Sequence, residues 1–479
     1  SAAVTAAHLG LHVVVAEKAP RLGGTSAWSG GWMWIPRNPL ALEAGLHEDP
    51  QAPWQYLVHE LGEHFDARRT LVYLRQGPNM VDFFRQHTAL QFIDGNGIAD
   101  FHGHTPHAGQ GGRSVCAAPF DGRTLGDALA HIEPPLAPNT LWGMGIASGA
   151  DLKHFLNAIH HLPSLTHVAR RLWRHGLDLL IHGQSTQFVN GHALVGALVQ
   201  SALNLGVKLW TEHAGIELLS ESGRVIGAVL QSPQGPRRVL ARKGVVLACG
   251  GFPHDRDRKR DLLAHDPTGQ AHWSAGFTHN TGDGLRLGES VGGRVSRNLH
   301  QAAALAPVSL VPKANGGGHH FPHLIDRAKP GLIAVTAHGL RFTNEANAYH
   351  DVMQDLLRAT PQGPHEAWLV VDHRFIRRYG CLLYTSDAAD DTPCKAMPIG
   401  PGATVGPTPA WAPWSKPLFM RSGSSWGAWA PLPVCRSTTK PRCSTRRATR
   451  SRASMPAATT SPASWVVTTL PEASRWGRP

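Results

Sequence analysis

Apolar and polar positions change their period several times along the chain, and each change predicts an element. Residues 1–11, SAAVTAAHLGL, are Ala-rich with small side chains along one face, which predicts a helix packed closely on a sheet. Residues 12–17 follow as a short apolar strand that closes on the acid Glu17. Further on, Leu194, Leu198, Ala202 and Leu205 recur near helical spacing, so residues 191–205 read as an amphipathic helix. A short strand at 207–210 and a hairpin over 216–230, turning at Ser222 and Gly223, come next. The unbroken apolar run 245–248 predicts a strand buried on both faces of a parallel sheet. Gly282, Asp283 and Gly284 open a helix carrying Leu285, Leu287 and Val291, with Asp283 placed to cap its N-terminus. Helices alternating with short apolar strands predict an α/β fold.

Candidate chemistry gathers at the N-terminal end. An acid ending the second strand of a dinucleotide fold accepts hydrogen bonds from the adenosine ribose, the role open to Glu17. The segment Gly23, Gly24, Thr25, Ser26, Ala27, Trp28, Ser29, Gly30, Gly31 alternates glycine pairs with small hydroxyl residues. Glycine admits a ligand close to the backbone, and exposed N–H groups with hydroxyls suit a pyrophosphate; a Gly/Ser surface loop is the plainer alternative. After the run 245–248, Cys249, Gly250 and Gly251 form a second such approach, with Cys249 expected as a small core residue.

Five separate motifs in order make the chain resemble the FAD-binding family of fumarate reductase flavoproteins and 3-ketosteroid dehydrogenases. They are AEKAPRLGGTSAWSGGWMWIP at 16–36, GGRSVCAAPFDGRTLG at 111–126, RKGVVLACGGF at 242–252, HNTGDGLRLGESVGG at 279–293 and GLRFTNEANAYHD at 339–351. The resemblance implies a Rossmann-like FAD-binding domain over 1–297 and a smaller α+β substrate (capping) domain over 298–380. It places the phosphate-cradling glycine loop just before Ser1. It implies FAD as cofactor, held by Glu17, Lys18, Gly23, Gly24, Thr25, Ser26, Ser29, Gly30, Gly31, Ala248, Gly250, Gly251 and Asp283.

The same resemblance divides two chemistries. Dehydrogenation beside a carbonyl needs a hydride acceptor, a base for the neighbouring acidic proton, and donors for charge developing on the oxygen. Fumarate reduction needs cations that grip two carboxylates. Family fumarate reductases carry an arginine four residues after the glutamate of the RF-x-NE motif; counting from Glu345, that position is Tyr349, which steroid dehydrogenases use as base. An ordinary tyrosine near pKa 10 is a poor base at neutral pH, so the site is expected to lower that value. A second tyrosine is common near Asp100 in steroid dehydrogenases, whereas this chain has Phe101 and His102. These two, with Arg113, Ser114 and Glu345, are the candidate substrate residues; Arg113 or Arg341 would bind carboxylate in a fumarate-type enzyme.

The expected activity is therefore FAD-dependent dehydrogenation of a steroid-like ketone, the alternative being reduction of small unsaturated acids, with the electron acceptor unidentified. A binding module, or a fragment that retains no FAD, is the reading outside catalysis. Trp28, Trp32 and Trp34 read as core packing. His102, His104 and His107, and again His319, His320 and His323, lack paired cysteines and read as solvated loop histidines with no metal.

Charge changes the picture only at the C-terminus. The chain carries 46 Lys and Arg against 34 acids, but residues 391–479 hold 12 of the basic residues and only two acids, Asp391 and Glu472. The body is nearly neutral, so nucleic acid is not an expected partner. That tail has no histidine, six of the 15 tryptophans and no helical or strand period. Residues 381–390 look like a translated library-adaptor sequence. A one-base frame shift beyond Ser454 permits a string similar to the family's C-terminal flavin-binding motif. Residues 381–479 are therefore expected to be adaptor and out-of-frame translation, with no domain. No run of 18 apolar residues exists, so no transmembrane segment is expected, and the expected compartment is the cytoplasm.

Overall fold

The computed structural model describes residues 1–158, 161–297, 299–312, 318–324, 326–379 and 397–399. Helix α1 (Ala2–His8) leads into strand β1 (Val14–Ala16), the short helix α2 (Gly24–Trp28) and strand β2 (Trp32–Trp34). Helices α3 (Gln51–Leu61) and α4 (Ala67–His87) precede strands β3 (Phe92–Asp94) and β4 (Ser114–Ala117). Then come α5 (Leu162–His182), α6 (Asn190–Asn204), β5 (Lys208–Trp210) and the strands β6 (Ala214–Glu221), β7 (Arg224–Ser232) and β8 (Gly235–Leu240). Helix α7 (Asp283–Ser290), strand β9 (Leu332–Thr336), helix α8 (Tyr349–Ala359) and strand β10 (Ala367–Val371) complete the labelled elements.

The expected helix–strand alternation is present. Strand β1 pairs in parallel with β5, Val14 opposite Lys208, and each strand is preceded by a helix, α1 or α6. Helix α6 buries its Gly/Ala/Val surface, including Ala193, Ala197 and Ala202, against β4, α1 and α2. The approach of α2 to α6 is close enough to demand glycine. A Cβ on Gly31, whose φ is +72°, would lie 2.6 Å from the Asn190 carbonyl carbon, and one on Gly191 would lie 2.0 Å from Ser26 O. The predicted hairpin at 222–223 forms, and β8 adds a third antiparallel strand to it.

Strands β2, β4 and β3 make an antiparallel sheet in that order. One core, containing Val4, Val81, Phe84, Val115, Phe188 and Ala193, is built from residues before Val207 and their neighbours. A second core begins at Leu305 and holds Ala334, Met353, Leu356, Ala367 and Phe375 beneath β9, β10 and α8. Met353 and Leu356 are fully buried, each contributing roughly 1.5–3 kcal/mol through the apolar surface it removes from water. Met397–Ile399, within the segment read as out of frame, pairs antiparallel with β10.

Four local expectations are corrected. Residues 245–248 have no ladder partner among the described residues; without hydrogen-bonded neighbours they form no strand, and Val246 is 56% exposed. Cys249 is likewise exposed rather than core. The glycine-rich segment is not an open loop, because residues 24–28 form α2 against α6. Asp283 does not cap α7: Gly282 occupies the cap position, and the carboxylate turns to Lys18.

Candidate active site

Two groups of side chains stand out, one at the end of β1 and one at the start of α8. At the first, Glu17 leaves the strand with Oε1 accepting from Ala19 N at 2.8 Å, and the Lys18 backbone N–H also bonds to the carboxylate. Burial raises the Glu17 pKa above the ordinary carboxylate value, although the Ala19 N–H and the charges of His279 and Lys18 pull it down. Lys18 Nζ donates to Thr281 Oγ1 at 2.7 Å and to Asp283 Oδ2 at 2.6 Å, tying β1 to α7. Burial alone pushes the Asp283 carboxyl up, but Lys18, Thr281 and Arg286 outweigh it and hold it low.

Asn280 joins the two glycine segments. Its Nδ2 donates to Thr25 Oγ1 at 2.9 Å, where Phe277 N also donates, and a Cβ on Gly250 would lie 2.6 Å from its Oδ1. Gly282 N donates to Gly251 O at 3.1 Å. The structure thus gathers Glu17, Lys18, Gly24, Thr25, Gly250, Gly251 and Asp283 into one neighbourhood. Ser29 is committed within the turn: its hydroxyl donates to Ser26 O at 2.8 Å and accepts from Gly31 N at 3.2 Å. Gly23 and Gly24 take positive φ at the start of α2, Gly30 O accepts from Cys116 Sγ, and Ala248 is exposed.

At the second group, Tyr349 is the first residue of α8 and meets Phe101 edge to face, ring centroids 5.6 Å apart at 74°. No hydrogen bond reaches its hydroxyl among the described residues. Burial raises its pKa, and the Arg327 guanidinium counters only part of that rise, so the expected lowering is not found. Arg327 is buried and, among the described residues, donates only to carbonyls, including Glu345 O at 2.7 Å and Asn347 O at 3.1 Å, so it braces the turn that delivers Tyr349.

His102 is not a solvated loop residue. Its Nδ1 lies 2.6 Å from Glu60 Oε2 on α3 and its Nε2 lies 2.9 Å from Asp351 Oδ2 on α8. The bonds to Asp351 and then Glu60 push its pKa up to about 10, against the opposing effect of burial. The ring is an imidazolium at neutral pH, clasping α3 to α8 beside Tyr349. Thr105 Oγ1 adds a 2.5 Å bond to Glu60. Both ring nitrogens are occupied, so His102 positions the site and does not itself hold a substrate.

Other candidates have structural work. Arg113 is buried, donating to Asp100 Oδ2 at 2.5 Å, to His107 O at 2.9 Å and to Glu48, with the Tyr56 ring 5.5 Å away. Its donors face protein oxygens. Ser114 is buried in β4. Glu345 accepts from Ala334 N at 2.8 Å and pairs with Arg341 at 2.6 Å; burial pushes its carboxyl up, but those two donors hold it low. The three tryptophans are half-buried, each indole N–H bonded: Trp28 to Pro134 O, Trp32 to Ser148 and Trp34 to Asp100. Of the second histidine group, His323 is buried between Asp326 at 2.6 Å and Ser309 at 2.8 Å, and His320 Nδ1 donates to Ser274 O at 2.6 Å. Among the described residues, no three His, Cys, Asp or Glu side chains converge as metal ligands. Glu60, Asp100, Asp351 and Arg327 were not anticipated. The His102 partners lie 42 and 249 positions away, and no local pattern marks such pairs.

Comparison with known proteins decides the affiliation. The FAD binding domain family profile matches residues 1–434. The chain belongs to this family. A 4-oxocyclohex-2-ene-1-carboxylate 5-dehydrogenase of Sinomonas cyclohexanicum is 33% identical over 79% of this chain and 64% of its own length. A 3-oxosteroid 1-dehydrogenase of Mycobacterium tuberculosis is 33% identical over 79% of this chain and 67% of its own. Among solved structures, a 3-ketosteroid delta1-dehydrogenase from Sterolibacterium denitrificans, in complex with 1,4-androstadiene-3,17-dione, superposes with a TM-score of 0.71 at 30% identity. That match covers 79% of this chain and 67% of the other. The chain thus spans about two thirds of the length of these relatives.

The residues at the end of β1 fit the family's FAD. Glu17 accepts backbone N–H bonds, and its carboxylate has further acceptor capacity for a ribose hydroxyl, in a partly buried setting where that bond gains strength. The N–H groups of Cys249 and Gly250 make no hydrogen bond among the described residues, which leaves them available to an anionic group.

Proposed function

We infer that the chain belongs to an FAD-dependent dehydrogenase that oxidises a carbon–carbon bond beside a ring ketone, of the 3-ketosteroid type. Residues 1–297 are read as a Rossmann-like FAD domain and 298–380 as the smaller α+β substrate domain; the separate cores on either side of that boundary support the division. Glu17 would hold the adenosine ribose, and the segments around Gly24 and Gly250 would approach the phosphates and ring. Bound FAD supplies the hydride acceptor.

The observation that carries the reading is the Tyr349 hydroxyl, unbonded among the described residues, on a ring fixed edge to face by Phe101. Once this group is ionised to the phenolate, Oη can take a proton from the carbon next to a ketone and return to the hydroxyl. Its raised pKa makes the phenolate scarce at neutral pH but strongly basic when formed, so turnover rises with pH. Arg327 favours the phenolate, and the His102 clasp keeps α8 in register with Phe101.

Charge separates the two substrate classes. A fumarate-type site must present free cations to two carboxylates. Arg113 is spent on Asp100 and Glu48, Arg341 on Glu345, and His102 sits between two carboxylates. A neutral ketone meets less repulsion here than a dicarboxylate, and the two relatives above are both named for oxo-ring substrates. The test is anaerobic mixing of the FAD-loaded chain with 4-androstene-3,17-dione or with succinate. Flavin bleaching by the steroid is expected; bleaching by succinate alone would overturn the reading.

A further inference from the structure

Helix α5 is built inside out. Its inward side carries Ser164, Arg171, His175 and Asp178, all buried. Arg171 donates to Asp151 at 2.7 Å and to Gly145 O at 2.8 Å, His175 Nε2 lies 3.1 Å from Trp142 O, and Asp178 accepts from Thr186 N at 3.0 Å. Ser164 lies 3.1 Å from His154 Nδ1. These bonds set the rotation of the helix. With a residue every 100°, Leu162, Leu165, Ala169, Trp173, Leu177 and Leu180 then share the opposite side. That side faces outward: Leu162 is 72% exposed, Trp173 73% and Leu180 84%. A continuous stripe of this size is not the scatter of single apolar residues that any surface shows.

The stripe protrudes on one helix, which suits a fluid apolar medium. Its surroundings are basic: the one acid of α5, Asp178, is buried on the inward side, whereas Arg170 beside the stripe is exposed, as is Lys153 on the preceding helix Ala150–Leu156. Leucine and tryptophan on one side with arginine at the margin match a helix lying in the plane of a lipid interface. No helix among the described residues is long and apolar enough to cross a membrane. We propose that α5 docks the protein on an anionic lipid surface, with Trp173 and Leu180 in the acyl boundary and Arg170 at the phosphates. This attachment is independent of the reaction inferred above, and it would give an apolar ring ketone dissolved in lipid a short route to the enzyme.

The test is co-sedimentation of the full chain with vesicles of phosphatidylcholine containing about a quarter phosphatidylglycerol, and with phosphatidylcholine alone. Wild type is expected to bind the mixed vesicles. The Trp173→Ser, Leu180→Ser double variant, its fold checked by circular dichroism, should partition at least about tenfold less. Arg170→Glu, which leaves the stripe intact, should weaken binding to the mixed vesicles, as should high salt. Wild-type protein that stays in the supernatant, or a double variant that binds equally, overturns the proposal. So does wild-type self-association that is lost in the double variant without any lipid binding, which would assign the stripe to a second copy of the chain.

Discussion

Replacing His102 by Gln tests whether the charged clasp holds α3 to α8. Gln has the reach of a hydrogen-bonding side chain but no charge, and it can donate to one carboxylate at a time. The wild-type ring engages Glu60 at 2.6 Å and Asp351 at 2.9 Å. Two charge-assisted bonds contribute about 1.5–3 kcal/mol each. The Asp351 side chain is 33% exposed, so solvent screens its share, and a loss of roughly 2–4 kcal/mol is expected. The pH dependence carries more information than the size. Because the His102 pKa rises to about 10 from 6.5, its stabilisation is fully present below 6.5 and is lost as pH rises toward 10. Asp351 is held low by His102, although burial opposes this, so its share is present above its ordinary pKa and is lost only as pH falls through the lowered value. Glu60 and Tyr56 on α3, Asp351 and His350 on α8, and Thr105 are the polar groups that face the ring or its partners. Denaturant unfolding of wild type and His102→Gln between pH 5.5 and pH 10, roughly the window these pKa values define, is the assay. The stability gap should be greatest near pH 6 and nearly closed at about pH 10. A gap that does not change with pH would refute the clasp as a charged device.

Other outcomes follow from the same structure. Arg113→Met strands the buried Asp100 carboxylate and the Glu48 carboxylate, and should destabilise the chain by about 3–5 kcal/mol in the same unfolding assay. Glu17→Ala removes the acceptor offered to the ribose, and should weaken FAD binding by roughly ten- to a hundredfold in a fluorescence titration while leaving the Thr25 and Asn280 contact intact. Lys18→Met breaks the tie from β1 to Thr281 and Asp283, and should lower the thermal midpoint, with a further penalty at pH values above the Asp283 pKa, where that carboxylate is charged and keeps only the exposed Arg286 as its cation.

Much of the local fold was legible because it is written in short-range patterns. The apolar spacing of 194–205 placed α6, the turn residues at 222–223 placed the β6 and β7 hairpin, and an acid after a short apolar strand pointed to Glu17. The same local logic failed at 245–248, because an apolar run reports what a strand would look like and says nothing about whether a partner lies beside it. It also failed at Asp283, where a lysine 265 positions away competes with the local cap. Tyr349 was reached through a counted position in a family motif. Its neighbours were not, since Phe101 and Tyr349, or Glu60, His102 and Asp351, meet only once α3 and α8 have packed. Periodicity likewise anticipates buried apolar faces, and α5 reverses that rule.

The central claim is that Tyr349 Oη, as the phenolate, takes the proton from the carbon beside a ring ketone. The most direct measurement is the rate of anaerobic flavin bleaching by 4-androstene-3,17-dione, followed by stopped flow from neutral to alkaline pH in wild type and in Tyr349→Phe. The account predicts a wild-type rate that rises about tenfold per pH unit below the raised tyrosine pKa. It predicts that Tyr349→Phe, with steroid still bound, is at least roughly a hundredfold slower and flat with pH. Bleaching by Tyr349→Phe at the wild-type rate and with the wild-type pH profile would contradict it.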